Sequence, residues 1–128
     1  MIKKQRKGCR TIPSVVYGME ISVDGYTIKY EVVYYHVIVK TSVGMSWLCH
    51  KRFSQILAFK ETLTKHVSGA LPLIPDKKLK LFFDHTDTAF VLFRQFSLHE
   101  FFQELLLHHP RLQHTTEFHQ FITSDRMS

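Results

Sequence analysis

The first part of the chain alternates apolar and polar residues with a period of two. From residue 15 to residue 23 every second side chain is apolar, which is typical of a half-buried strand. The Asp24-Gly25 pair that follows indicates a turn. Two more β-rich runs come next, at 30–40 and 45–51, so the pattern predicts a three-stranded antiparallel meander.

Beyond the third run the spacing of the apolar residues becomes helical. Ser54 suits an N-cap, and Gly69 is placed to end the helix. Residues 70–80 contain Pro72 and Pro75, which exclude a helix interior, so we expect an extended or polyproline II connector. The apolar residues that define the helix are Ile56, Phe59, Leu63 and Val67.

The last third of the chain predicts further helices. Residues 81–96 show no clear period, but Ser97 and Glu100 have the spacing of a capping box, and Pro110 ends the helix that they start. A final helix at 115–123 is expected to bury its apolar side chains. The order of the elements predicts an α+β domain, in which the three-stranded meander packs against three to four helices and a Pro-rich loop. The apolar side chains of the final helix are Phe118, Phe121 and Ile122.

The composition fits one globular domain. The 128 residues are 45% apolar and 13% aromatic, which excludes a disordered chain. No apolar run approaches the ~20 residues of a membrane span, and no secretory signal follows the basic start, so we expect a soluble protein. Cys9 and Cys49 fit neither a disulfide framework nor a metal pattern, which indicates two free thiols in a reducing compartment.

The net charge of +6 is distributed unevenly along the chain. Residues 1–10 carry five cations and no acid, and residues 40–80 carry eight cations and two acids. Residues 11–39 and 81–128, on the two sides of that segment, carry more acids than cations. A protein that coats a polyanion needs a broad basic face, whereas cations concentrated in one segment favour a small anionic ligand.

The junction between the third strand and the first helix carries the most suggestive chemistry. A helix N-terminus presents unpaired N–H groups and the positive end of the helix dipole, so it attracts anions. Arg52 adds a cation, Ser54 adds a hydroxyl, and Phe53 adds a flat apolar ring face. Together these groups are suited to a phosphorylated ring. Because arginines are common at strand ends, the junction alone is a weak signal, and a structural role is the more frequent one.

The wider arrangement resembles the phox-homology (PX) domain family. After the Arg52-Phe53-Ser54 junction come a helix, the segment PLIPDK at 72–77, and Arg94 four residues before Leu98 in LHEFF. The family has the same order: a three-stranded meander, an R-[Y/F]-S junction, a helix, a P-x-x-P-x-K loop and an arginine before L-x-x-[FY]-[LF]. The chain departs from the family at Phe53, where tyrosine is frequent. It also lacks the acidic residues that often precede the second arginine.

This resemblance implies the PX fold and a function. The domain would span 13–124, with a flexible basic tail at 1–12 and a frayed C-terminus at 125–128. The family implies a membrane-targeting module without catalysis or cofactor, related to the sorting nexins. Such a module binds phosphatidylinositol 3-phosphate from the cytoplasm, is peripherally associated with endosomal membranes, and acts in protein trafficking and sorting.

The resemblance also assigns roles to the matching residues. Arg52 would bind the 3-phosphate, assisted by the Ser54 hydroxyl and the helix N-terminus, and Phe53 would lie under the inositol ring. Lys77 would bind the 1-phosphate with a compact charge on a flexible stem. Arg94 would place its planar guanidinium on the 4- and 5-hydroxyls and thereby crowd out extra phosphates.

Head-group contacts alone predict only a modest affinity. A charge-assisted hydrogen bond contributes roughly 1.5–3 kcal/mol, and the cost of association is subtracted from the sum. Burial of one large apolar side chain contributes roughly 1.5–3 kcal/mol more. We therefore expect Leu79, Leu81 and Phe82 to insert into the membrane beside Lys77, although the same side chains would also suit a core.

Other features of the sequence have plainer interpretations. The chain has nine histidines, but those at 108, 109, 114 and 119 share no helical face, so we expect no metal site. The segment from Pro72 to Pro75 also fits the PxxP pattern, which makes a protein partner of this loop an alternative. No catalytic triad, phosphate-binding loop or carboxylate pair is evident, so we expect no enzyme.

Two further functions stay open at this point. The first is a protein-interaction module on the PX fold, with a weak or different phosphoinositide preference. The second is a nucleic-acid binder that uses the basic segments 1–10 and 40–80. Because the strands largely lack the interleaved arginines and aromatics that stack on bases, we expect no nucleic acid as a partner.

Overall fold

The computed structural model of the chain describes residues 18–74, 86–124 and 126–127. Three strands come first and three α-helices follow, so the predicted α+β order is confirmed. A short fourth strand closes the chain. The strands are Met19–Lys29 (β1), Val32–Thr41 (β2), Ser46–Arg52 (β3) and Arg126–Met127 (β4), and the helices are Phe53–Leu63 (α1), Thr88–His108 (α2) and Thr116–Thr123 (α3).

The four strands form one antiparallel sheet in the order β1-β2-β3-β4. The β1-β2 hairpin turns at Tyr30 and Glu31, between the paired residues Lys29 and Val32. Both turn residues have positive φ, at 53° and 65°. Two-residue hairpin loops need this conformation because it matches the twist of the flanking strands.

The turn predicted at Asp24-Gly25 is wrong. Both residues lie inside β1, where the pairing register shifts between Val23 and Tyr26. Gly25 has a φ of 102°, in the left-handed region that favours glycine. The glycine therefore forms a β-bulge within a continuous strand, and the local sequence signal of a bulge resembles that of a turn.

Helix α2 covers the outer edge of β1. The backbone N–H of Val23 donates to Nδ1 of His99 at 3.1 Å, and Nε2 of Gln103 donates to the carbonyl oxygen of Ile21 at 2.8 Å. His99 and Gln103 are one turn apart on α2, so the two contacts follow from helical spacing. They satisfy edge groups of β1 that no strand pairs, and they fix α2 against the sheet.

Helix α1 begins two residues earlier than predicted, and it also ends earlier. Its N-cap is Arg52, whose backbone N–H donates to Oε1 of Gln55 at 2.7 Å, so Ser54 lies in the first turn and is not the cap. The helix ends at Leu63, and a 3₁₀ turn, Thr64–His66, follows. The predicted end at Gly69 is therefore wrong, because the tighter turn already finishes the helix.

Helix α2 begins well before the predicted capping box. The side chain of Asp87 accepts a hydrogen bond from the backbone N–H of Phe90 at 3.2 Å and caps the helix. Ser97 lies in the helix interior, so the start predicted there is wrong. The predicted end is confirmed, since α2 stops at His108 and Pro110 opens a 3₁₀ turn.

The core lies between one face of the sheet and the three helices. Its strand residues alternate along β1 and β2, and its helical residues include an aromatic cluster in which Phe59 and Phe121 stack at 4.0 Å between ring centroids. The burial predicted for α3 is confirmed. The fully buried side chains include Ile21, Val37, Val39, Ile56, Leu63, Leu98, Phe102 and Phe118.

The chain end returns to β3. Nζ of Lys51 donates to the carbonyl oxygen and to Oγ of Ser124, at 3.0 and 2.8 Å, and lies 4.5 Å from the ring centroid of Phe121. The backbone of β4 then pairs with Leu48 and Cys49. Residues 126–127 thus have a strand partner where the sequence indicated a frayed end, because β3 offers an open edge that short-range patterns do not reveal.

Candidate functional site

Arg52 and the first turn of α1 form one side of the candidate site. Arg52 ends β3, opposite Tyr34 in the register, and its side chain is exposed. Ser54, in the first helical turn, is exposed as well. The first turn of α1 has no acidic residue, so the positive end of the helix dipole is not neutralised locally. A guanidinium, a hydroxyl and free helical N–H groups are therefore adjacent along the chain.

Phe53 and Arg94 lie in direct contact. Cζ of Arg94 lies 3.7 Å from the centroid of the Phe53 ring, and only 7% of Phe53 is exposed. The ring face that the sequence assigned to an inositol ring is turned toward a guanidinium. The fold thus brings Arg94 against Phe53, which lies between Arg52 and Ser54 in the chain, although 39 residues separate Ser54 from Arg94 and no local pattern connects them.

A second ring packs on Arg94. The centroid of Phe90 lies 4.3 Å from Cζ of Arg94. Phe90 precedes Arg94 by four residues on α2, which places the two side chains on the same helical face. Phe90 was not among the candidate residues that the sequence pattern indicated. An aromatic residue four positions before a candidate arginine was the signal that could have found it, but it required α2 to extend back to Asp87.

In the described part of the chain, no carboxylate pairs with the buried Arg94. It is 4% exposed, and among the described residues its Nε and Nη2 atoms have no hydrogen-bond partner. Burial lowers the pKa of the Arg94 guanidinium from its ordinary value, and the nearby Tyr35 hydroxyl opposes that change. An arginine is still charged at neutral pH, so the site holds a buried cation, and two of its donor atoms lack acceptors among the described residues.

Tyr35 lies beneath the same region. Its side chain is buried, and its hydroxyl is 3.5 Å from the carbonyl oxygen of Val91 on α2. Burial raises the pKa of Tyr35 to about 12, while the charge of Arg94 acts in the opposite direction. The phenol is therefore neutral near pH 7 and does not neutralise Arg94.

Other predicted site residues lie outside the described part of the chain. These are Lys77 and the three side chains expected to insert into the membrane, Leu79, Leu81 and Phe82. Their roles stay predictions. Within the described residues, no group of three or more histidines, cysteines or acids could hold a metal ion. Cys49 is buried, and its Sγ lies 3.0 Å from the carbonyl oxygen of Ile122.

The histidine next to the candidate site stacks on another histidine. His50, two residues before Arg52, lies 4.7 Å from His36 between ring centroids, and Nε2 of His36 is 2.7 Å from Oγ1 of Thr27. Burial lowers the pKa of His36, and His50 lowers it further, while Asp24 acts in the opposite direction. His36 is therefore largely uncharged at neutral pH and adds little positive charge beside Arg52.

The fold and the site define a class of protein. A small sheet packed on helices holds a buried arginine, whose Nε and Nη2 lack partners among the described residues, and an exposed arginine at a helix N-terminus. Groups of this kind suit an anionic, hydroxyl-bearing ligand. Residues 39–125 match the family profile of the PX domain. Because this match spans more than half of the 128 residues, the chain belongs to the PX domain family.

Comparison with solved structures agrees with this assignment. The X-ray structure of a designed CISK-PX domain superposes with a TM-score of 0.72 and covers 82% of this chain and 99% of its own. At 21% sequence identity, this likeness shows the fold alone. No curated protein has significant similarity to the chain.

Family membership gives the general function. PX domains are phosphoinositide-binding modules that direct proteins to membranes, and they are known as lipid binders without enzymatic activity. In the part of the chain that the structure describes, no helix is long and apolar enough to cross a bilayer. Peripheral attachment through a lipid head group is the mode of membrane association that the family implies.

Proposed function

We propose that this domain binds phosphatidylinositol 3-phosphate and thereby attaches to endosomal membranes for protein trafficking. The observation that carries the proposal is Arg94, whose Nε and Nη2 atoms are buried and lack partners among the described residues. Leaving a buried charged donor unsatisfied costs on the order of 1–3 kcal/mol or more. A ligand that brings hydroxyl or phosphate oxygens to Arg94 would remove this cost, which is how the site favours occupation.

Arg52 supplies the second half of the proposed site. Its exposed guanidinium sits at the N-terminus of α1, where helical N–H groups and the helix dipole favour a dianionic phosphate. Ser54 adds a hydroxyl in the same turn. We assign the 3-phosphate to Arg52 and the neighbouring ring hydroxyls to Arg94, because a planar guanidinium held in place suits two vicinal oxygens.

Lys77 and the apolar segment after it complete the proposal. Lys77 would bind the 1-phosphate, next to the lipid backbone. Leu79, Leu81 and Phe82 would then enter the bilayer, and each buried side chain would add roughly 1.5–3 kcal/mol to the attachment. This division matches the general logic of two weak membrane signals that together give stable binding.

Co-sedimentation with vesicles tests the proposal. Vesicles of phosphatidylcholine and phosphatidylserine are prepared alone and with each phosphoinositide in turn. The wild-type domain should bind most strongly to those with phosphatidylinositol 3-phosphate, and Arg52→Ala should lose at least about tenfold in affinity, since it removes charge-assisted hydrogen bonds. Its thermal stability should stay nearly unchanged, because Arg52 is exposed.

The matched control is Arg111→Ala, which removes another exposed cation, in the 3₁₀ turn after α2. It should bind within about twofold of wild type, since it lies outside the proposed site. Equal sedimentation of the wild-type domain with and without the phosphoinositide would refute the proposal. Unfolding of the Arg52→Ala variant would instead show that Arg52 is structural.

A further inference from the structure

The environment of Arg94 differs sharply from that of Arg52. Arg94 lies between two aromatic rings, with Cζ at 3.7 Å from the centroid of Phe53 and 4.3 Å from that of Phe90. Arg52 is exposed, and no described ring contact involves it. One arginine of the site is thus held in place, while the other is free to adjust to its ligand.

The two rings come from different elements. Phe53 is the first residue of α1, whereas Phe90 belongs to the same helix as Arg94 and lies one turn before it. Both rings are buried, at 7% and 4% exposure, so neither can move away easily. A long arginine side chain normally samples many rotamers. Contact with two fixed rings restricts the guanidinium to one location.

Restriction of the guanidinium has a consequence for selectivity. A fixed guanidinium presents its donors in one geometry, which suits a pair of ring hydroxyls and leaves no space for an additional phosphate. A mobile guanidinium could move aside and then form an ion pair with that phosphate, because the two groups have opposite charges. Loss of the restriction should therefore reduce the discrimination against a ring with an additional phosphate more than it reduces the affinity for the ring without it.

We propose that Phe90 is a positioning residue that, with Phe53, clamps Arg94 and sets the selectivity of the site for a monophosphorylated inositol ring. This inference rests on the proposed function, because it concerns the same site. The clamp consists of Phe53, Arg94 and Phe90. Phe90 touches no ligand in this proposal and acts only through Arg94.

The test compares Phe90→Leu with Phe90→Tyr. Leucine keeps an apolar side chain in the buried position but removes the ring face, whereas tyrosine keeps the ring. Phe93→Leu is the matched control, since it makes the same change at a half-exposed phenylalanine of the same helix. Thermal melting of each variant confirms that it is folded before binding is measured.

The first readout is selectivity. Calorimetric titration with soluble short-chain lipids gives the affinity ratio of phosphatidylinositol 3-phosphate to phosphatidylinositol 3,4-bisphosphate. Phe90→Leu should lower this ratio by about tenfold, as expected for the loss of a desolvated cation–π contact, while Phe90→Tyr and Phe93→Leu stay within about twofold. A ratio that stays at the wild-type value in Phe90→Leu would overturn the inference and leave the proposed function intact.

The second readout needs no lipid. In the free protein, ring currents from Phe53 and Phe90 should shift the side-chain Nε–H resonance of Arg94 upfield. Phe90→Leu should move that resonance toward its random-coil position, and Phe93→Leu should leave it in place. An Arg94 resonance that Phe90→Leu does not move would overturn the clamp, whichever lipids bind. Failure of the wild-type domain to bind any phosphoinositide would count against the proposed function, and the resonance would still decide on the clamp.

Discussion

Arg94 is the residue on which binding and stability conflict. Buried arginines usually pair with carboxylates, because removal of a guanidinium from water is costly. Among the described residues, Arg94 instead contacts the rings of Phe53 and Phe90, and the neutral phenol of Tyr35 lies near it. Such an arrangement stabilises the free protein poorly and leaves the guanidinium donors available to a ligand. Residues that serve binding in this way often reduce stability.

The first prediction therefore concerns Arg94→Met. Methionine is apolar and flexible enough to fill the space, so the free energy of unfolding measured by urea denaturation should stay constant or rise by about 1 kcal/mol. Affinity for phosphatidylinositol 3-phosphate should fall at least about tenfold, because the ring hydroxyls lose their donors. A variant that loses several kcal/mol of stability would show that Arg94 holds the fold together.

At the residue scale, the sequence predicted candidate residues but not their geometry. Arg52, Phe53 and Arg94 are all identifiable from the order of motifs, and the structure brings Phe53 and Arg94 into contact. Burial of Arg94 was not predictable, because an arginine in a sequence is ordinarily exposed. Phe90 was not predicted either, because its proposed role depends on contact between its ring and the Arg94 guanidinium, which the sequence does not show.

Helix α2 is the element that positions the buried half of the site. Its first turns were not recognised because Leu92, Phe93 and Phe96 are exposed apolar residues that fill the solvent-facing side. Without polar residues on that side, the 3.6-residue period is invisible in the sequence. The spacing of Ser97 and Glu100 then indicated a helix start at Ser97, although the N-cap is Asp87. The α3 pattern is cleanly amphipathic, and its position was predicted correctly.

The second prediction tests the N-cap of α2. Asp87→Ala should reduce the free energy of unfolding by about 1 kcal/mol, since it removes the acceptor for the Phe90 N–H at 3.2 Å. Ser97→Ala is the matched control in the helix interior and should change it by less than about 0.5 kcal/mol. Urea denaturation followed by circular dichroism measures both. A larger loss of stability in Ser97→Ala than in Asp87→Ala would instead show that the helix starts at Ser97.

At the scale of the whole molecule, the site exists only because distant segments meet. β3 and α1 supply Arg52 and Phe53, α2 supplies Arg94 and Phe90, and β2 supplies Tyr35 beneath them. The bulge in β1 and the contacts of His99 and Gln103 fix α2 against the sheet and so determine where Arg94 lies. Hydrophobic periodicity predicts the elements, but it does not predict these pairwise contacts between elements.

The cations of the chain are concentrated in one segment, which bears on how the whole domain meets a membrane. The cation-rich segment 40–80 includes the end of β3, α1 and Lys77, so it contains Arg52 and Lys77, to which we assign the two phosphates. The segments on either side are acidic on balance. Anionic lipids would therefore favour the approach of this segment to a membrane.

Titration of the isotope-labelled domain with inositol 1,3-bisphosphate, followed by nuclear magnetic resonance, tests the central claim most directly. The soluble head group removes every contribution of the bilayer, so only the convergence of the two arginines on one ligand is measured. We predict that resonances of Arg52, Phe53, Ser54 and Arg94 shift together with a single dissociation constant. Shifts that cluster elsewhere, or shifts at Arg52 that leave Arg94 unchanged, would contradict the account.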